Sequence, residues 1–268
     1  MIRCLLQNIT KYYKDKQENC VEILSTVSKM LSEGDFDNEL ISYVVKSMIL
    51  VMNSGSEDNE LNKLAFGLVV YLKTKYPKLV FSELEKINEM NVNPSYLLLI
   101  NKCINEENVD VIQNSVEKIL MIYNKYIKEK INKDLFLDGI ITLVELIKDT
   151  SKKYSQQISS LLNIIISEWL GSDKNVDSKI FKLAKNTMLI LPRENAEKML
   201  KNQIENFPKY IQDKELGNSA IICLDAFRIV IGDSSLIAII SNVKVKIANA
   251  LIKYLEMNET SFENGENK

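Results

Sequence analysis

A chain of 268 residues with only 8 Gly and 4 Pro, and 46% hydrophobic residues, has few breakers across long apolar-patterned stretches, which predicts helices throughout and not a strand-and-turn fold. It has no histidine, which rules out Ser-His-Asp and Cys-His nucleophilic systems, the HExxH zinc motif and His proton relays. A formal net charge of −2, with Arg3, Arg193 and Arg228 as the only arginines, supplies no concentrated basic surface of the kind that nucleic acid selects.

The first helix is expected over 2–14. Its apolar run is too short for a signal peptide, and no later segment reaches the roughly 18 apolar residues of a membrane span. Lys11, Tyr12, Tyr13 and Lys14 read as an exposed array end, with contact to a membrane surface as the alternative. Asn8-Ile9-Thr10 and Asn258-Glu259-Thr260 match the glycosylation sequon by chance if no secretory signal directs the chain outward. Cys4, Cys20, Cys103 and Cys223 are dispersed, lack a CxxC pair, and each has an apolar neighbour. They predict buried free thiols in a reducing compartment, and so a cytoplasmic protein.

Helices are expected next over 18–32, 38–53, 57–76 and 77–89. Ile41, Val44, Val45, Met48 and Met52 share one face after an acidic approach at Asp35 and Asp37, which suits a helix N-terminus. Leu61, Leu64, Ala65, Leu68 and Leu72 form the next stripe, which closes at Tyr76 before Pro77. Glu57, Asp58 and Glu60, like Glu106, Glu107 and Asp110 later, sit at helix starts, so the macrodipole explains them without a metal or a catalytic carboxylate pair.

Further helices are expected over 94–104, 108–128, 134–149 and 152–170. Their stripes are Val109 to Tyr123, Phe136 to Ile147, and Tyr154, Ile158, Leu161, Leu162, Ile165 and Trp169. Lys125, Lys128, Lys130 and Lys133, with Lys152 and Lys153 beyond, are interrupted by Glu129 and Asp134 and read as solvated helix ends. The lone Trp169 falls on its helix's apolar stripe and is expected in the core.

The last helices are expected over 175–191, 193–206, 215–231 and 234–256, about 13 in all, with a disordered polar tail over 257–268. Val176, Ile180, Leu183, Ala184, Thr187, Met188 and Leu191 hold one face of the first of these, while Lys179, Lys182, Lys185 and Asn186 fall elsewhere. Asn-Val-Asp recurs at Asn108 and Asn175 as a helix-opening cap, and Pro77, Pro192 and Pro208 each follow an apolar helix end. The helices beyond residue 215 are apolar on more than one face, so they pack inside an array or contact something outside the chain.

Paired helices with an acidic turn and the Val176, Ile180, Leu183/Ala184, Leu191 stripe resemble HEAT repeats of the armadillo-like class. More narrowly, Glu168-Trp169-Leu170, a polar turn, an amphipathic helix ending Leu189-Ile190-Leu191-Pro192, and then Arg193 to Leu200 resemble the N-terminal HEAT region of the maestro heat-like repeat proteins. There a Trp-Leu helix end, a helix closing in Leu-Leu-Pro and an acidic helix follow in the same order. The segments Leu40 to Met52, Asn59 to Tyr76 and Phe81 to Tyr96 are similar in order and length, and the resemblance covers about residues 20–210. That family's members are usually far longer.

The resemblance implies an all-α, HEAT/armadillo-like α-solenoid of 12–13 antiparallel helices in a right-handed superhelix, continuous over 1–256. It carries no catalytic residues across. The expectation is therefore a non-catalytic scaffold without cofactor or metal, binding a protein or peptide through polar flanks such as Lys179, Lys182 and Asn186. The alternatives are a HEAT-like enzyme acting on nucleic acid, disfavoured by one tryptophan and three arginines, and a peripheral membrane adaptor.

Overall fold

The computed structural model describes residues 1–54, 59–86, 94–104, 109–127, 132–147, 151–188 and 190–263. Among them every regular element is helical: α1 (Ile2–Tyr12), α2 (Gln17–Glu33), α3 (Asn38–Ser54), α4 (Glu60–Lys75), α5 (Pro77–Glu85), α6 (Pro94–Cys103), α7 (Val109–Tyr126) and α8 (Lys133–Leu146), then α9 (Ser155–Trp169), α10 (Lys174–Met188), α11 (Arg193–Gln203), α12 (Phe207–Ile211), α13 (Gly217–Ile231), α14 (Asp233–Ile240) and α15 (Lys244–Glu263). The chain divides into two compact units, Met1–Leu146 and Ile147–Lys268.

In the first unit α4 packs against α2, α3, α5 and α6, and α3 shares that central place, packing against α1, α4, α5 and α6. The reason for the place of α3 is its apolar content: Ile41, Val44, Val45, Met48 and Met52 are all 1% exposed or less. Each such side chain contributes about 1.5–3 kcal/mol when removed from water. The starts of α3, α4 and α8 are capped by short polar side chains. Asp37 Oδ1 accepts the Leu40 N–H at 2.7 Å, Asn59 Oδ1 that of Leu61 at 3.0 Å, and Asn132 Oδ1 those of Asp134 and Leu135 at 3.0 and 3.3 Å. Pro77 opens α5 directly after α4, where its missing N–H costs nothing. Asp110 starts α7, whereas Glu57, Asp58, Glu106 to Asn108, Lys128 and Lys130 lie outside the described residues.

In the second unit the α9 stripe closes on Trp169, which is 5% exposed and so belongs to the core. After it, Gly171 donates its N–H to the buried Asp177 carboxylate at 2.7 Å, tying the turn to the first turns of α10. The cap of α10 differs from the expected Asn175. Asp173 Oδ1 accepts the N–H groups of Asn175 at 2.9 Å and Val176 at 3.3 Å, so Asn175 is already inside the helix. Those are the second and third helical amides, which a capping aspartate reaches best. The α10 stripe from Val176 to Met188 is buried throughout, and α9 and α13 pack against this helix.

Two features raise the helix number from the expected 13 to 15 among the described residues. The first is α12, a five-residue helix that buries Ile211 together with Phe207 and Tyr210, whose rings meet Phe181 at 6.0 and 5.2 Å between centroids. The second is a break in the segment expected as one helix over 234–256: α14 and α15 meet at 99°. No Gly or Pro causes it. The Val243 N–H bonds to Ile240 O in a tightened turn, the Ser241 hydroxyl donates to Ala238 O, and Val243 and Ile247 are drawn into the core at 1% and 6% exposure.

α15 continues to Glu263, past the expected tail boundary at 257, and residues 264–268 lie outside the described residues. It packs on α12. Gly217, at the start of α13, lets the Tyr254 ring of α15 approach so closely that a Cβ there would overlap it. No single helix among the described residues is long and apolar enough to cross a membrane.

Candidate functional site

The α10 stripe fixes what its other face presents. With every third or fourth side chain committed to the core, Lys179, Lys182 and Lys185 follow one another at three-residue steps along a ridge. Beside that ridge runs a groove of about 290 Å³ between α10 and α13, lined by the three lysines and by Ser178, Phe181, Ser219 and Ile222. Its apolar part is Phe181, 3% exposed, and Ile222, 39% exposed.

Among the described residues of this lining the ionisable side chains are the three lysines. One turn further along α13, Asp225 is held by Arg228, whose Nε donates at 2.7 Å, and Arg228 also reaches Asp233 at 3.2 Å. Three ammonium groups thus stand along one side of the groove in a chain whose overall charge is −2. Of the three residues proposed from sequence as partner contacts, the structure brings Lys179 and Lys182 into this lining, and Lys185 joins them. Asn186 is half-buried on the same helix and lies outside the lining.

The first unit holds a second cleft, of about 420 Å³, where α1, α3 and α5 meet. Its chemistry centres on Glu83, 2% exposed. Glu83 Oε1 accepts hydrogen bonds from the Ser42 hydroxyl at 2.6 Å and Lys86 Nζ at 2.7 Å, and Lys46 Nζ forms an ion pair with Oε2 at 3.5 Å, without a hydrogen bond. Burial pushes the Glu83 carboxyl up, but the hydrogen bonds from Lys86 and Ser42 and the charges of Lys46 and Lys86 outweigh it and hold the carboxyl below its ordinary value. Such a carboxylate stays ionised at neutral pH and ties α5 to α3.

Sequence reasoning did not single out Glu83. The available signal was its place between Val80 and Leu84, on the face that α5 buries.

Lys11 and Lys16 lie over the Tyr12 ring at 5.0 and 5.5 Å, and Lys14 over Tyr13 at 5.7 Å, so this charged end of α1 is occupied with itself. Cys20, Cys103 and Cys223 are buried free thiols, while Cys4 is exposed, because the stripe of α1 runs through Ile2, Leu6 and Ile9 and leaves position 4 on the far side. Among the described residues no group of three or more His, Cys, Asp or Glu side chains is placed to hold a metal ion. Compared with known proteins, the chain matches no protein-family model, and no curated protein aligns with it significantly.

Proposed function

We propose that this chain is a non-catalytic helical-repeat scaffold of the HEAT/armadillo-like kind, akin to the maestro heat-like repeat proteins, that holds an acidic segment of a partner protein in the groove between α10 and α13. The observation that carries the reading is the lysine ridge of Lys179, Lys182 and Lys185 set beside the apolar Phe181 and Ile222. A peptide with an apolar side chain flanked by carboxylates matches it, the apolar group covering Phe181 and the carboxylates meeting the ammonium groups.

Lysine suits this task better than nucleic-acid recognition. The groove has no arginine fork for bidentate contacts, and Arg193 and Arg228 are engaged with Glu197 and Asp225. A right-handed superhelical stack and a cytoplasmic setting belong to the same proposal, the latter supported by three buried free thiols.

Titration of the full chain with a fluorescent acidic-apolar peptide tests this directly. Binding that weakens with salt, and that falls at least about tenfold in the Lys179→Glu/Lys182→Glu variant, is the expected result. Indifference to that reversal, or submicromolar and steeply salt-dependent binding to duplex DNA in its place, overturns it.

A further inference from the structure

The cleft where α1, α3 and α5 meet brings two ammonium groups together beside an apolar wall. Lys46 and Lys86, with side chains 57% and 58% exposed, both pair with the Glu83 carboxylate, itself 2% exposed. On α3, Tyr43 precedes Lys46 by three residues and Ile49 and Leu50 follow it by three and four, so apolar side chains flank that lysine within one turn on either side. The cleft's volume of about 420 Å³ falls in the range of roughly 300–1,000 Å³ that small-ligand sites occupy.

The polar atoms around it are unevenly committed. The Thr10 hydroxyl donates to the Leu6 and Gln7 carbonyls and the Ser47 hydroxyl to that of Tyr43, so each spends its proton on its own helix. Lys46 differs: among the described residues it makes no hydrogen bond, and charge alone keeps its Nζ 3.5 Å from Oε2 of Glu83. That oxygen is buried without a hydrogen-bond donor, an uncommon state for a carboxylate. All three N–H groups of Lys46 are therefore open to another acceptor, and Lys86, which spends one on Oε1, keeps two.

The charges set the sign of what fits. Glu83 stays ionised, so two ammonium groups against one carboxylate leave a single net positive charge in this lining. A ligand that completes the site carries one negative charge, accepts hydrogen bonds, and is otherwise apolar. A cation would meet two ammonium groups, and a sugar or base would find few donors and acceptors to match its own.

We propose that this cleft binds a small amphipathic monocarboxylate, its carboxylate bridging Lys46 and Lys86 and its apolar chain or ring lying on Tyr43, Ile49 and Leu50. The site belongs to the first unit and is independent of the groove between α10 and α13, so either can fail without the other.

Calorimetric titration of the full chain with decanoate, kept below its micelle range, is expected to show saturable binding with a dissociation constant of about 10–100 μM. Decylammonium and decanol keep the chain and lose the negative charge, and acetate keeps the charge and loses the chain; each should bind at least about tenfold more weakly. Lys46→Gln and Leu50→Asp should each weaken decanoate binding at least about fivefold with unchanged far-UV dichroism, because both side chains reach solvent. Lys179→Glu/Lys182→Glu should leave it unchanged.

A second measurement needs no variant. In trace acetylation of the full chain, mapped by mass spectrometry, decanoate should slow the labelling of Lys46 and Lys86 and leave that of Lys29, exposed on α2, as it was. No saturable binding up to about 1 mM, decylammonium, decanol or inorganic phosphate binding as tightly as decanoate, indifference to both Lys46→Gln and Leu50→Asp, or unchanged labelling of Lys46 and Lys86 each overturns the proposal.

Discussion

Glu83 keeps its charge inside the first unit because Ser42, Lys86 and Lys46 reach it from two helices, and that dependence sets a pH response. A carboxyl held below its ordinary value binds its proton more weakly in the folded than in the unfolded chain, so its contribution is complete above the unfolded pKa and is lost as pH falls through the folded one. Stability is therefore expected to decline on acidification below about pH 4, and Glu83→Gln should flatten that part of the profile while lowering stability at pH 7 by about 1–3 kcal/mol. Urea unfolding at a series of pH values checks it. An unchanged slope in the variant would show that other carboxylates carry the response. The burial of Glu83 could be read from its neighbours Val80 and Leu84, but its partner Ser42 lies 41 residues away and no local pattern points to it.

Helices were legible where their stripes were long. The run from Val176 to Met188 announces α10 because three and a half turns of one-sided apolar side chains leave no other periodicity open. Trp169 was legible as core for the same reason, and its ring now gives the measure of that packing. Trp169→Ala is expected to cost about 3–5 kcal/mol, read by denaturant titration followed by far-UV dichroism. A loss below about 1 kcal/mol would mean that the ring does not fill the core it enters. The five residues of α12 are too few to show a period, and the break between α14 and α15 carries no Gly or Pro to mark it. Both arise from tertiary pull: aromatic rings close on Phe181 in one case, and Val243 and Ile247 turn toward the core in the other. Asp173, not Asn175, caps α10 because cap choice depends on which side chain meets the second and third amides, a matter of one residue in register.

The four cysteines sample the molecule as a whole, with Cys4, Cys20 and Cys103 in the first unit and Cys223 in the second. Burial pushes the Cys103 and Cys223 thiols up to about 12, for Cys103 against the pull of the nearby Lys73 charge, and it raises Cys20 as well. Only Cys4 is then expected to react at once with a disulfide reagent at neutral pH, the other three following at the rate at which their surroundings open. Counting thiols released by dithionitrobenzoate in native buffer and in denaturant tests this; two or more fast thiols in the native chain would contradict the burial. At this scale the sequence conveyed helix order and the all-α class. It could not convey which polar groups meet, since the lysine ridge of α10 becomes a groove only when α13 lies beside it.

The bare α-carbon of Gly217 ends up governing more than the start of α13. By letting the Tyr254 ring settle against the backbone, it sets the roll of α15 about its own axis, and so the direction in which Val245, Ile252 and Leu255 look outward. A methyl group at 217 would act as a shim under the aromatic ring, rotating a surface it never touches. The aim of the outer face is thus decided beneath the helix, by one hydrogen atom standing where other residues carry carbon.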